Sequence, residues 1–138
     1  MKAIVAMDDA CGLLFNNRRQ SRDRVLIEDI CEFIGKERLY ITSYSVDLFN
    51  LKKYNNIVLC DDFKNVAGLD DYVFFESEEI NVFANRATEL ILYRWNRLYP
   101  GDTFFKVDLS EWKLVESRDF KGYSHDRITK ERYRRKEI

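Results

Sequence analysis

Histidine, proline and glycine are scarce in this sequence, with one, one and five residues among 138. A single histidine excludes the zinc sites of two-metal hydrolases, which need several imidazole and carboxylate ligands. No apolar run approaches the roughly 20 residues that span a bilayer, and the run before Asp8 and Asp9 is shorter than a secretory signal. We therefore expect a cytoplasmic protein with no metal, no cofactor and no membrane contact.

An excess of charge of one sign is also lacking, and cysteines are few. Lysine and arginine number 23 against 24 aspartate and glutamate, so no global field draws in nucleic acid. Cys11, Cys31 and Cys60 lack the C-x-x-C spacing of zinc or redox sites, which indicates free thiols. With 46% hydrophobic residues, the chain can build a core, and its length predicts a single domain, residues 1–138.

Apolar runs separated by helical patterns predict an α/β fold. Short runs rich in β-branched and aromatic residues are typical of strands covered on both faces. These runs are KAIVAM (2–7), RLYITSYS (38–45), IVLC (57–60) and YVFFES (72–77). Carboxylates are costly inside a core, so we expect the chain to leave the core at Asp8 and to form a loop over residues 11–21.

Helical spacing and strand alternation complete the pattern. Apolar residues at helical spacing predict a helix in DRVLIEDICEFI (23–34), capped by Ser21 or Asp23 and ended by Gly35. A shorter helix is expected over residues 78–87. WKLVESRDF and SHDRITKERYRR predict an antiparallel hairpin with one solvated face. The sequence thus predicts an αβα three-layer domain whose mixed sheet has parallel strands and a C-terminal antiparallel hairpin.

Both ends of the chain resemble dihydrofolate reductases. MKAIVAMDDACGLLFNN is similar to the first strand and active-site loop of that family. PGDTFF and EWKLVES are similar to its E-G-D-T-x-F-P and D-W-x-x-V-x-S segments. The resemblance covers most of the chain and implies the fold of that family.

The functional residues that this resemblance implies are different here. The acidic residue of the family's first helix falls close to Arg24, while Asp23 lies about a hundred degrees away around a helix. The segment that binds NADPH phosphates is 42–45 here, without glycine or arginine, and the family's Gly-Gly turn is replaced by the acidic run 76–79. We therefore expect a non-catalytic or divergent reductase-like domain, without dihydrofolate reductase activity.

The run FNNRRQSRDR is also similar to small Firmicutes proteins labelled ribonuclease Z. That enzyme uses an H-x-H-x-D-H motif to hold two metals. His125 is the one histidine of this chain. We place it in the last strand, at the surface or with its hydrogen bonds satisfied, and expect no zinc-dependent nuclease activity.

The densest polar segment runs from Asn16 to Arg24 and holds four arginines in nine residues. Guanidinium forks bind phosphate and carboxylate bidentately, and amide side chains complete the hydrogen bonds. The segment lies between the first strand and the first helix, where α/β sheets hold ligands. It predicts an anion-binding loop formed by Asn16, Asn17, Arg18, Arg19, Gln20, Arg22 and Arg24. The alternative is that these arginines pair with the acidic stretch 61–79.

This segment favours a module that binds a phosphate-bearing small molecule or a protein partner. Two alternatives stay open. An enzyme acting on a nucleotide or phosphorylated substrate needs Asp8, Asp9 or Asp23 to converge with the arginines and Gln20. An RNA-binding protein needs the segment to share a face with the basic tract 127–136. No specific Ser/His/Asp set is evident from the sequence.

Overall fold

The computed structural model describes residues 1–136, so residues 137 and 138 of the expected domain lie outside the described part. Its strands are β1 (Lys2–Met7), β2 (Gly12–Phe15), β3 (Arg18–Arg19), β4 (Leu39–Ile41), β5 (Ile57–Leu59), β6 (Tyr72–Phe75), β7 (Glu89–Arg94), β8 (Thr103–Phe104), β9 (Trp112–Phe120) and β10 (Ile128–Arg135). Its α-helices are α1 (Arg24–Ile34), α2 (Phe63–Val66) and α3 (Ile80–Phe83). None of these helices is long and apolar enough to cross a membrane.

Seven strands form the main sheet in the order β5-β4-β6-β1-β7-β10-β9. The first five strands of this order run parallel to one another, whereas β10 is antiparallel to β7 and to β9. One buried apolar cluster lies on each face of the sheet, around α1 on one side and around α2 and α3 on the other. This architecture confirms the predicted three-layer mixed α/β fold.

Helix α1 packs on the sheet because its apolar residues recur at helical spacing. Leu26, Ile30 and Ile34 are almost fully buried, and burial of such a side chain stabilises a fold by about 1.5–3 kcal/mol. The Asp23 carboxylate caps the helix by accepting from the Val25 amide, and Gly35 ends it with φ of 59°. Positive φ favours glycine there. The predicted ends of this helix are therefore confirmed.

The second predicted strand is shorter than its β-prone sequence suggests. Strand β4 ends at Ile41, and the chain turns into a 3₁₀ helix over Ser43–Leu48. Asp61 accepts hydrogen bonds from both the amide and the hydroxyl of Ser43. This side-chain bonding competes with continued strand pairing. The helix expected over 78–87 is likewise only α3, followed by a 3₁₀ turn over Ala84–Arg86.

The expectation of a loop over residues 11–21 is wrong, because most of these residues belong to a small sheet. Strands β2 and β3 form a hairpin, and β8 pairs with the other edge of β2. Asn16 and Asn17 form the two-residue turn with φ of 51° and 61°. Positive φ at both positions is the type I′ pattern, which asparagine tolerates better than most residues.

Asp8 lies inside the protein, contrary to the expectation that the chain leaves the core there. Only 1% of Asp8 is exposed. Its carboxylate accepts from the amides of Ala10, Gly12 and Tyr99, and from the Gln20 side chain. A buried carboxylate with this many donors has its desolvation cost compensated. Asp8 therefore holds the turn after β1 together.

Candidate functional site

The Asn16–Arg24 segment crosses the carboxyl ends of β1 and β6. The Gln20 side chain donates to Asp8, which follows β1, at 3.1 Å, and to the carbonyl of Pro100. Arg19 reaches Glu76, which follows β6. Parallel α/β sheets hold ligands at this edge. The structure therefore brings the predicted segment to the edge at which a site is expected.

Arg19 is the most heavily bonded arginine of the segment. Its guanidinium donates to both Glu76 oxygens at 2.9 Å and to Asp47 at 2.9 and 3.1 Å. The hydrogen bond to Glu76 is the main reason that the pKa of Arg19 is raised. Ser45 also donates to Glu76. Arg19 is thus held by carboxylates of this chain, as the pairing alternative predicts.

Asp23 is a buried acceptor for two parts of the chain. Its carboxylate accepts from the Val25 amide and from the amides of Tyr123 and Ser124, at 2.8–2.9 Å. Burial acts to raise the pKa of Asp23, but the hydrogen bonds from the Tyr123 amide, the His125 ring and the other two amides outweigh it and lower that pKa. Asp23 is therefore ionised at neutral pH.

His125 lies in the turn before β10, not in the last strand as predicted, and it is 3% exposed. Its Nδ1 lies 2.8 Å from Asp23 Oδ2. Its Nε2 lies 3.0 Å from both Ser21 Oγ and Tyr99 Oη. Trp95 stacks on the ring with centroids 4.6 Å apart. The expectation of a histidine with satisfied hydrogen bonds is confirmed.

The Ser21–His125–Asp23 arrangement is absent from the sequence prediction. Ser21 and His125 are 104 residues apart, and no local pattern links positions at that separation. Gly122 permits the approach, because a Cβ at that position would lie 2.5 Å from Asp23 Oδ2. The turn at 122–125 can therefore close over Asp23.

A cavity of about 30 Å³ lies beside this cluster. Its apolar wall includes Leu13, Leu26 and Trp95, and Ser21 and Arg22 contribute polar groups. This volume is close to the share of one water molecule in the liquid. It admits a small group and is far too small for a bicyclic ring.

A second, larger cavity of about 240 Å³ forms a groove between α1 and residues 48–54. We name it the basic groove, because three cations line it, Arg22, Arg24 and Lys53, against two carboxylates, Glu28 and the buried Asp23. Arg22 also pairs with Asp47 at 3.3 Å. The groove adjoins the small cavity, and the residues that line both are Arg22, Asp23, Ile27 and Leu48.

A third cavity, of about 360 Å³, lies at the ends of β4 and β6 and is acidic. Asp61, Glu76 and Glu79 line it, with Ser43 and Tyr44. No lysine or arginine lines it in the described part of the chain. Arg19 pairs with Glu76 from outside this lining, so within residues 1–136 the lining offers a phosphate-bearing ligand carboxylates and no cationic partner of its own.

Asn16, Asn17 and Arg18 of the predicted site lie on the β2–β3 hairpin, whereas Arg24 begins α1. Arg18 is exposed and lines an open depression with Asn16. Arg24 lies over the ring of Tyr123 at 4.0 Å. The seven predicted residues therefore divide between the hairpin side and the basic groove, and their anion-binding role stays a prediction.

Four of the six cations in the basic C-terminal tract have acidic neighbours. Cations that lie within 4.0 Å of a carboxylate are Arg127, Lys130, Arg132 and Arg134. Lys130 is buried beside Asp29 and over the ring of Phe33, and burial lowers its pKa. These pairings disfavour the RNA-binding alternative.

Metal-binding and thiol chemistry have little support within residues 1–136. No group of three or more histidine, cysteine, aspartate or glutamate side chains there is arranged to hold a metal ion. Cys11, Cys31 and Cys60 are free thiols, as predicted. Burial raises the pKa of Cys31, which keeps it as a thiol.

Comparison with known proteins supports the fold. Dihydrofolate reductase from Enterococcus faecalis, complexed with NADP(H) and RAB-propyl, matches with a TM-score of 0.73 over 99% of this chain and 97% of that chain. The fold is that of dihydrofolate reductase. Sequence identity is 13%, so the likeness shows the fold alone. No family model and no curated protein matches the sequence, and the ribonuclease Z resemblance gains no support.

Proposed function

We propose that the protein binds a small organic anion, a carboxylate or a phosphate ester, in the basic groove. The observation that carries this proposal is the convergence of Arg22, Arg24 and Lys53 on one cavity of about 240 Å³. Two of these residues belong to the anion-binding set predicted from the sequence. Arginine forks bind carboxylate and phosphate with charge-assisted hydrogen bonds.

The charge balance of the groove supports an anionic ligand. Arg22 and Arg24 have exposed side chains at its rim, and Lys53 is also exposed. Asp47 offsets part of the charge of Arg22, but Arg19 bonds the same carboxylate more closely. The pKa of Asp47 is lowered, first by its hydrogen bond to Arg19. The lining itself has three cations, Arg22, Arg24 and Lys53, against the two carboxylates of Asp23 and Glu28. This small excess of positive charge favours anions.

The lining of the groove also indicates the polarity of the uncharged part of the ligand. Ile27, Leu48 and Cys31 give it an apolar side, and Tyr54 and Asn50 provide hydrogen-bonding groups. Pockets for small molecules typically combine an apolar lining with a few placed polar groups. We therefore expect a ligand with a compact apolar body and a terminal negative charge.

The residues at the other cavities do not fit the ligands of a reductase. The dinucleotide NADP(H), which the fold family implies as cofactor, carries a pyrophosphate, and three carboxylates line the cavity at the ends of β4 and β6. The Arg19–Glu76 pair lies beside the cavity of about 30 Å³, which has no room for a pteridine. These features support a divergent, non-reductase role.

The test is direct binding of matched anionic and neutral probes. Isothermal titration calorimetry compares phenyl phosphate and benzoate with neutral benzamide, on the wild type and on Arg22→Gln/Lys53→Gln. We expect both anions to bind and benzamide to fail. Loss of two charge-assisted hydrogen bonds at about 1.5–3 kcal/mol each predicts an affinity at least about 100-fold weaker in the double variant.

Two further variants locate the site. Lys52→Gln removes an exposed charge next to the groove without touching its lining, so its affinity should equal that of the wild type. Arg18→Gln removes the exposed arginine of the hairpin. If Arg18→Gln abolishes binding while the double variant retains it, the site is on the hairpin and the groove proposal is wrong. Equal binding of benzamide would also contradict it.

A further inference from the structure

Ser21, His125 and Asp23 form a chain of hydrogen bonds that ends at a cavity. Asp23 Oδ2 lies 2.8 Å from His125 Nδ1, and His125 Nε2 lies 3.0 Å from Ser21 Oγ. The side chains of Asp23 and His125 are 0% and 2% exposed. Ser21 is half-buried and lines the cavity of about 30 Å³. Nucleophile, base and orienting carboxylate stand in the order of a serine hydrolase triad.

We propose that Ser21 is a nucleophile activated by His125, and that the protein transfers small acyl groups from carboxylic esters to water. The proposal rests on these two contacts and on the cavity beside Ser21, and it does not depend on the ligand of the basic groove. Asp23 is a positioning residue, because it contacts only groups of the protein.

The donors and acceptors around His125 fix the direction of the hydrogen bonds. Asp23 is ionised and accepts the Nδ1–H of the ring, which leaves Nε2 as an acceptor in the neutral imidazole. Ser21 Oγ and Tyr99 Oη both lie 3.0 Å from Nε2, and each hydroxyl can donate to it. Tyr99 Oη also donates to Ser21 Oγ at 3.4 Å. With Tyr99 donating to Ser21, the hydroxyl proton of Ser21 is directed at the base that would remove it.

The surroundings of the cluster suit an attack on a small acyl group. Trp95 stacks on His125 and also lines the cavity, so it holds the ring and excludes water from one side. The cavity volume restricts the acyl group to about the size of acetyl. Arg22 lines the same cavity and supplies positive charge for the carbonyl oxygen, which becomes negative on attack.

The chemistry balances with water as the only co-reactant. Ser21 Oγ attacks the ester carbonyl carbon while its proton passes to His125 Nε2. The C–O bond to the alcohol breaks, and the departing oxygen takes that proton, leaving acyl-Ser21. Water then attacks the acyl carbon and gives a proton to Nε2, and Ser21 Oγ leaves with that proton. The products are one carboxylic acid and one alcohol.

The test is acetyl transfer from p-nitrophenyl acetate to the full chain. Nitrophenolate release is followed by absorbance, and the acetylated residue is located by peptide mass spectrometry after acid quench. We expect acetyl on Ser21 in the wild type. A general base contributes roughly 10²–10⁴-fold, so His125→Gln should slow acetylation of Ser21 at least about 100-fold. Ser21→Cys, which keeps a nucleophile at that position, should retain an acetylated residue 21.

Controls separate activation from background and from unfolding. Ser117 is an exposed serine on β9, so Ser117→Ala should react like the wild type, and mapping distinguishes Ser21 from surface lysines. The melting temperature of each variant shows whether it is folded. Absence of acetyl from Ser21 in the folded wild type would overturn the proposal. So would a folded His125→Gln variant that acetylates Ser21 within about twofold of the wild-type rate.

Discussion

The two halves of the Asn16–Arg24 segment have similar composition but are held in different ways. In the first half several residues share the structural interactions. Asn16 and Asn17 form a turn, Arg19 bonds two carboxylates, and Gln20 bonds Asp8. In the second half one side chain, Asp23, makes most of the buried hydrogen bonds, while Ser21 bonds His125 and Arg24 lies over the ring of Tyr123. Stabilisation is therefore distributed in the first half and concentrated in the second.

This difference determines which residues are available to a ligand. Because Asp23 makes most of the hydrogen bonds to the 122–125 turn, the fold depends less on Ser21, Arg22 and Arg24. Arg22 has 60% of its side chain exposed, against 19% for Arg19. An arginine already held by two carboxylates has few free donors for a ligand. The same residue type therefore has a structural role at 19 and is accessible at 22.

The largest expected effect comes from Asp23, whose carboxylate makes most of the buried hydrogen bonds of the second half. Asp23→Ala removes the cap of α1 and leaves the donors of Tyr123, Ser124 and His125 without an acceptor. Removal of one partner of a buried pair costs about 3–5 kcal/mol. We expect the free energy of unfolding, measured by urea denaturation, to fall by that amount.

Arg24→Ala is the matched control for this prediction. Arg24 is the next residue, is exposed, and contacts the ring of Tyr123. A cation–π contact at an exposed site contributes about 0.5–1 kcal/mol. If the two variants lose equal free energy of unfolding, Asp23 is not the main stabilising residue of the second half. That result would contradict the difference between the two halves.

The Arg19–Glu76 pair provides a second test, now in the first half. Arg19→Met leaves Glu76, which is 11% exposed in its side chain, without its ion partner, and we expect a loss of about 2 kcal/mol. Arg19→Met/Glu76→Met should recover most of it, because two apolar groups remove the desolvation cost of both charges. Arg22→Met, which breaks an exposed pair, should change stability by less than about 1 kcal/mol. Urea titration of these variants and of Glu76→Met gives the coupling energy of the Arg19–Glu76 pair.

The pH dependence of stability also tests the role of Asp23, because the pKa of Asp23 is lowered on folding. A lowered pKa gives stability that is complete above the unfolded value of about 3.9 and is lost as pH falls towards the folded value. Between pH 5 and 3 this group should cost the wild type about 1 kcal/mol. Asp23→Asn should lack that part of the decline. Parallel curves for the two proteins, from urea titrations at each pH, would contradict the assignment.

Sequence patterns predicted the fold well because they depend on local spacing. Period and turn residues located β1, α1, β9 and the closing hairpin, and Gly35 marked the end of α1. Strand β4 was predicted too long, since β-branched residues favour a strand whereas Asp61 bonds Ser43 and ends it. A contact between distant residues decided that boundary, and propensity carries no information about it.

The candidate site was only partly accessible from the sequence. The charge of residues 18–24 drew attention to the segment, but the pairing of Arg19 with Asp47 and Glu76 depends on how three separate loops meet. The His125 cluster depends on a turn about a hundred residues away. Lys53 was missed because the pair Lys52 and Lys53 stands in an otherwise uncharged stretch, and only the fold brings Lys53 to the cavity that Arg22 lines.

The smallest predicted effect concerns Asn17, whose role distinguishes a turn residue from a ligand residue. With φ of 61°, its backbone is in the left-handed region, where most L-residues are strained by about 1–2 kcal/mol and glycine is not. Asn17→Ala should therefore lose about 1 kcal/mol in urea denaturation, whereas Asn17→Gly should match the wild type or exceed it. Anion affinity should stay unchanged in Asn17→Gly. A loss of affinity with stability intact would instead make the Asn17 amide part of the binding site and return the hairpin to it.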